Sequence, residues 1–147
     1  MKYLIFFFLI SSTLIVSNSV VFGQTTIDIV NNLDCDIQWA FELHDPGVGC
    51  STTCIKPTGG WQTLAANSST NITCLIFTDH EIKVAKARIN PASNCSISIT
   101  AVSYGGGCGG TDIDGYCDGN SSNSCFDVGE GWYIDITTPT SFDINRR

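Results

Sequence analysis

Positive charge is scarce in this chain: seven Lys and Arg stand against 14 Asp and Glu in 147 residues, with two His, for a net charge of −7. A polyanion such as nucleic acid is repelled by that balance, which excludes it as a partner, and an anionic membrane face is disfavoured on the same ground. Proline occurs four times and glycine 14 times, too few for a collagen-like chain. Hydrophobic residues make up 43% and charged residues only 14%, the reverse of a disordered acidic tail. No G-x-S-x-G elbow is present. The length and these gaps together exclude a cytosolic multidomain enzyme and a membrane channel.

The apolar residues that do occur are unevenly spread. Met1-Lys2 is followed by the run Tyr3–Ile10, then Leu14–Val16, and Val21-Phe22-Gly23 offers a peptidase site. Ser11, Ser12, Thr13, Ser17, Asn18 and Ser19 break the run, which falls short of the ~20 continuous apolar residues of a membrane helix. Residues 1–23 therefore read as a cleaved secretory signal. Removing 23 of 147 residues leaves 124, a single domain from Gln24 to Arg147 with six cations against 14 acids, a net of −8.

All eight cysteines (Cys35, Cys50, Cys54, Cys74, Cys95, Cys108, Cys117 and Cys125) lie in that domain. Outside the reducing cytosol an even count implies disulfides, and eight cysteines allow 105 pairings. Zinc needs close pairs such as C-x2-C, often with histidines nearby. Here the shortest step is the four residues from Cys50 to Cys54, so disulfides are the better reading. At this length roughly two thirds of the unfolded surface can be buried, so the bridges supplement a core rather than replace it.

The chain alternates more than it spirals. Cys35, Ile37, Trp39, Phe41 and Leu43 share one parity, opposite Asp36, Gln38, Ala40 and Glu42. Weaker copies follow: Ile27 and Ile29; Ile72, Cys74 and Ile76; Cys95, Ile97, Ile99 and Ala101; Trp132, Ile134 and Ile136; Phe142 and Ile144. Over His80–Ile89 the parity switches between Val84 and Ala85, which predicts a strand with a bulge in preference to a short helix. Turn signals fall at Asp45-Pro46-Gly47, Pro57–Gly60, Ala66–Ser69, Asn90–Ser93 and Gly129–Gly131. Seven to nine short strands predict an all-β domain: a two-sheet β-sandwich, immunoglobulin-like or jelly-roll-like, with a small β-barrel as the alternative. Cys35, Cys74 and Cys95 fall on inward faces, where two of them could bridge the sheets, and parity does not say which two. Cys50 and Cys54 are expected in a loop, and Cys108 and Cys117 are close enough for a local link.

The segment Gly105–Cys125 concentrates seven glycines and three cysteines. Its Asp112, Asp114 and Asp118 suggest a calcium turn, because calcium gathers six to eight oxygens about a sharply turning backbone. It is not an EF-hand: with Gly110 at position 1, the position for a bidentate Glu holds Ser121. The competing reading is a cross-linked turn whose aspartates bond their own backbone. Catalysis has little to work with. His44-Asp45 and Asp79-His80 are sequence neighbours that seldom face a common substrate, while Glu42, Glu81 and Glu130 leave a carboxylate-dependent, glycosidase-like hydrolase as an alternative. Trp39 and Trp132 have core parity, whereas Trp61, Tyr104 and Tyr116 are candidates for an exposed binding platform. Lys83, Lys86 and Arg88 form the one internal basic cluster, read as a solvated strand face. Four N-x-[ST] sequons begin at Asn67, Asn71, Asn94 and Asn120.

Ile27-Asp28-Ile29-Val30-Asn31, with Cys35 and Trp39-Ala40, resembles the start of thaumatin-like proteins over about 15 residues. That family is longer, with twice the cysteines, and its acidic-cleft motifs have no counterpart here, so the resemblance implies no activity. The expectation is a secreted, non-catalytic binding, adhesion or structural module. Its partner is an extracellular protein or carbohydrate, and it needs no cofactor beyond the calcium considered above.

Overall fold

Alternation along β2 (Ile37–His44) builds the middle of the molecule: Ile37, Trp39, Phe41 and Leu43 are fully buried, while Gln38, Ala40 and Glu42 face outward and are half-buried. The computed structural model describes residues 23–75, 80–89, 99–102, 108–116 and 129–147. Among them are ten strands and no helix. Besides β2 these are β1 (Gln24–Asn31), β3 (Thr52–Lys56), β4 (Gln62–Leu64), β5 (Ser68–Leu75), β6 (Glu81–Ile89), β7 (Ile99–Val102), β8 (Gly115–Tyr116), β9 (Gly131–Thr138) and β10 (Ser141–Arg146). Residues 1–23, read above as a signal, lie outside the described residues except for Gly23. No helix among those described is long and apolar enough to cross a membrane.

Two sheets pack together as a sandwich and neither closes into a barrel. The first runs β5-β1-β10-β9-β8, with β1 and β10 parallel and its other pairs antiparallel. The second runs β3-β2-β6-β7 and is antiparallel, and β4 pairs with β2 beside β3. Between the sheets lie Ile27 and Ile29 from β1, the β2 row, Ala85 and Ala87 from β6, Trp132 from β9, and Phe142 and Ile144 from β10. Burying each large aliphatic or aromatic side chain contributes about 1.5–3 kcal/mol, so this layer is the main source of stability. Trp39 and Trp132 are both fully buried, as their parity predicts.

The parity switch in β6 is a bulge. Glu42 pairs with Val84 and Leu43 with Ile82, so Lys83 is the extra residue. The slip turns Ile82 inward before it and Ala85, Ala87 and Ile89 inward after it. A helix is not needed to explain the pattern.

One disulfide pairing differs from the sequence expectation, that of Cys108. Cys74 is buried as predicted, and its partner is Cys54, with the Cα atoms 6.5 Å apart. Cys54 belongs to β3 rather than a loop, and it pairs in register with the buried Leu43, which places it on the inward face. The bridge thus ties β3 of one sheet to β5 of the other. Cys108 bonds Cys50, 58 residues away, and not Cys117, its neighbour in sequence. Cys35 packs against the core and is also disulfide-bonded. Cys95, Cys117 and Cys125 lie outside the described residues.

One buried polar residue organises the end of the sandwich. Asn31 is fully buried; its Nδ2 donates to the carbonyls of Cys35 (2.8 Å) and Ala65 (2.9 Å), and its Oδ1 accepts from the Leu33 N–H (3.1 Å). It holds the turn after β1 against the turn after β4, satisfying backbone groups that burial would otherwise leave unpaired.

Candidate functional site

The aspartate segment is engaged in structure. Ile113 exchanges two backbone hydrogen bonds with Thr100, at 3.0 and 2.8 Å, so this stretch extends the β7 side of the second sheet. Asp112 and Asp114 flank that bridge and are exposed. The Asp114 carboxylate pairs with Arg147 at 2.6 Å, and the Arg147 N–H donates to the Gly131 carbonyl at 2.8 Å. Asp114 therefore anchors the segment to the chain's last residue. Asp118 lies outside the described residues.

A second cluster joins His44, Glu81 and the Cys50–Cys108 bridge. The His44 ring is almost fully buried, with Nδ1 3.0 Å from the Gly49 carbonyl and Nε2 2.9 Å from Glu81 Oε1. A carbonyl and a carboxylate oxygen thus fix the ring from both sides. Sγ of Cys108 sits 3.4–3.5 Å from the two ring nitrogens. His44, Cys50 and Cys108 are the one metal-sized cluster among the described residues. Its sulfurs are spent in a disulfide and are not thiolates, the form that ligates metal. Asp45, the sequence neighbour of His44, caps its own turn by accepting from the Gly47 N–H at 2.8 Å. The cluster closes one end of the second sheet and offers no nucleophile.

The open site lies on the outer face of that sheet. A groove of about 220 Å³ runs between β2 and the turn joining β3 to β4. Ala40, Glu42 and Lys86 line it from the strands, and Ile55, Pro57 and Trp61 from the other side. Local sequence explains the shape. Gly59 and Gly60 both have positive φ, 93° and 134°, a region glycine enters at little cost. They reverse the chain after Pro57, so that β3 and β4 share the β2 edge and Trp61 returns over the sheet. Ile55 is 59% exposed, an apolar side chain left at the groove's rim.

The polar groups are preset. Glu42 accepts hydrogen bonds from Lys86 Nζ at 3.2 Å and Thr52 Oγ1 at 3.0 Å, and Lys83 Nζ lies 3.9 Å away. Burial works against its ionisation, yet these hydrogen bonds and the Lys86 and Lys83 charges outweigh it and hold the carboxyl below its ordinary range. Arg88 donates from Nε to Gln38 Oε1 at 2.7 Å, and its guanidinium carbon lies 4.4 Å from the Trp61 ring centroid. No protein-family model, curated protein or solved structure matches the chain.

Of the three aromatics expected as a platform, Trp61 stands at a site. Tyr104 and the side chain of Tyr116 lie outside the described residues. Sequence reasoning missed Arg88, Gln38 and Glu42 as a constellation. The available signal was parity: Gln38, Ala40 and Glu42 on one strand and Lys86 and Arg88 on another share the solvent face once the strands pair. Which strands pair is a non-local fact that parity does not contain.

Proposed function

We propose that this protein is a secreted, non-catalytic recognition module that binds a saccharide in the groove beside Trp61. The carrying observation is the groove's composition: a half-exposed indole and two apolar side chains beside a row of hydrogen-bonding and charged groups. Binding sites of this kind combine apolar walls with a few fixed polar groups that set orientation. A sugar ring matches both, with C–H faces for the wall and hydroxyls for the row. The protein holds these groups in place through its own hydrogen bonds, so little ordering cost falls on binding. Two disulfides and the signal-like first 23 residues support an extracellular setting.

A two-carboxylate hydrolase is the weaker reading. Glu42 is the one acid lining the groove, and its lowered pKa suits a fixed acceptor rather than a proton donor. The test is a glycan-array screen of the oxidised protein, followed by incubation of each hit with the protein and assay for new reducing ends. Saturable binding without cleavage is expected. Cleavage, or no bound glycan at all, would overturn the proposal.

A further inference from the structure

We infer that the groove selects an acidic saccharide, one whose ring carries a carboxylate or sulfate group. This rests on the saccharide reading above and adds the ligand's charge. In a chain of net charge −7, Lys83, Lys86 and Arg88 stand together on the outer side of β6: Lys86 lines the groove with its single acid Glu42, Lys83 lies behind that acid, and Arg88 borders the groove through its stacking on the lining Trp61. Glu42 is matched by Lys86 at 3.2 Å, with Lys83 a further 0.7 Å off at 3.9 Å. Both lysines share that one carboxylate, so with Arg88 the group keeps a net charge of +2.

Arg88 is the decisive one. Its Nε is taken by the neutral oxygen of Gln38 and its plane by the indole of Trp61. No carboxylate pairs with it among the described residues. A guanidinium fixed at both places presents its terminal N–H groups in a known direction, and that fork matches the two oxygens of a carboxylate or sulfate. The acidic group would meet Arg88, the ring would lie along Trp61 and Pro57, and hydroxyls would bond Glu42 and Lys86. A long polyanion gains nothing comparable, because the rest of the surface is acidic and repels it. The small volume also favours one ring in the groove.

The test uses the full oxidised chain and isothermal titration with four probes: trigalacturonate, a sulfated heparin tetrasaccharide, neutral cellotriose and a hexaglutamate peptide. Binding by either acidic saccharide is expected, at least about tenfold tighter than cellotriose or the peptide and weakened by added salt. The two acidic probes separate carboxylate from sulfate. Arg88→Gln should lower that affinity about tenfold or more, and Arg88→Lys should restore only part of it. Melting curves on each variant guard against misfolding. If cellotriose binds as tightly as the acidic probes, and Trp61→Ala abolishes it, the acidic selection is overturned while the saccharide groove stands. Equal or tighter peptide binding overturns the saccharide class, and no binding by any saccharide overturns both.

Discussion

The guanidinium of Arg88 lies over the indole of Trp61, 4.4 Å from its centroid, and its Nε is tethered to Gln38. Residues 27 positions apart in sequence are thereby fixed on one surface, and an indole beside a two-glycine turn is held still. Replacing Arg88 with Ala should cost about 0.5–1 kcal/mol, the scale of an exposed cation–π contact. Urea unfolding measures the loss. Fluorescence should show a more mobile Trp61, while Trp39 and Trp132 keep their buried emission.

The bridge between the sheets and the bridge over His44 should contribute unequally. Chain-entropy reasoning gives about 3 kcal/mol for closing the shorter Cys54–Cys74 loop and about 4 kcal/mol for the longer Cys50–Cys108 loop. Their sequence separations are 20 and 58 residues. Non-reducing peptide mapping should recover both linkages. The double Ala variants, compared by denaturant midpoint, should lose stability in that order.

Asp143 of β10 sits opposite Asp135 of β9. Burial pushes the Asp143 carboxyl up, and the facing Asp135 charge pushes it further. The folded state then holds this proton more tightly than the unfolded state does. Stability from this site is present below the unfolded carboxylate range and lost as pH rises through the raised folded value. Asp143→Asn should therefore stabilise the protein near neutral pH by at most about 0.5 kcal/mol, since both groups are partly solvated. The gain should vanish at low pH. Melting temperature measured between pH 3 and 7 checks the sign.

Gly115 of β8 is placed against the fully buried Trp132, and an added Cβ would fall within the indole. Gly115→Ala must displace a core ring. A loss of about 1–3 kcal/mol is expected, as for other overpacked cores, with the near-ultraviolet tryptophan spectrum altered as well.

The strands were legible because their signal is local. Ile37 to Leu43 alternate without interruption, and even the slip at Lys83 could be read as a bulge from Val84 and Ala85 changing parity. Thr52–Lys56 was missed as a strand because its sequence carries no apolar alternation; it pairs through the register of β2. The parallel pairing of β1 with β10 joins the two ends of the domain and leaves no local trace. Cysteine pairing is non-local in the same way: Cys117 is nearer Cys108 in sequence, but folding brings Cys50 to 5.4 Å between Cα atoms. At the groove, Trp61 was legible as a residue following two glycines. Its partner Arg88 was legible only as charge, because the stacking depends on β6 lying beside β2.

The most direct test of the groove is a proton–nitrogen NMR titration of the labelled protein with the saccharide that binds best. The expected result is a contiguous set of shifted signals: the Trp61 indole N–H, the Arg88 Nε–H, and the amides of Gln38, Ala40, Ile55 and Lys86. Saturable shifts confined to residues 108–116, or to the outer face of β5 and β1, with Trp61 and Arg88 unmoved, would contradict the account.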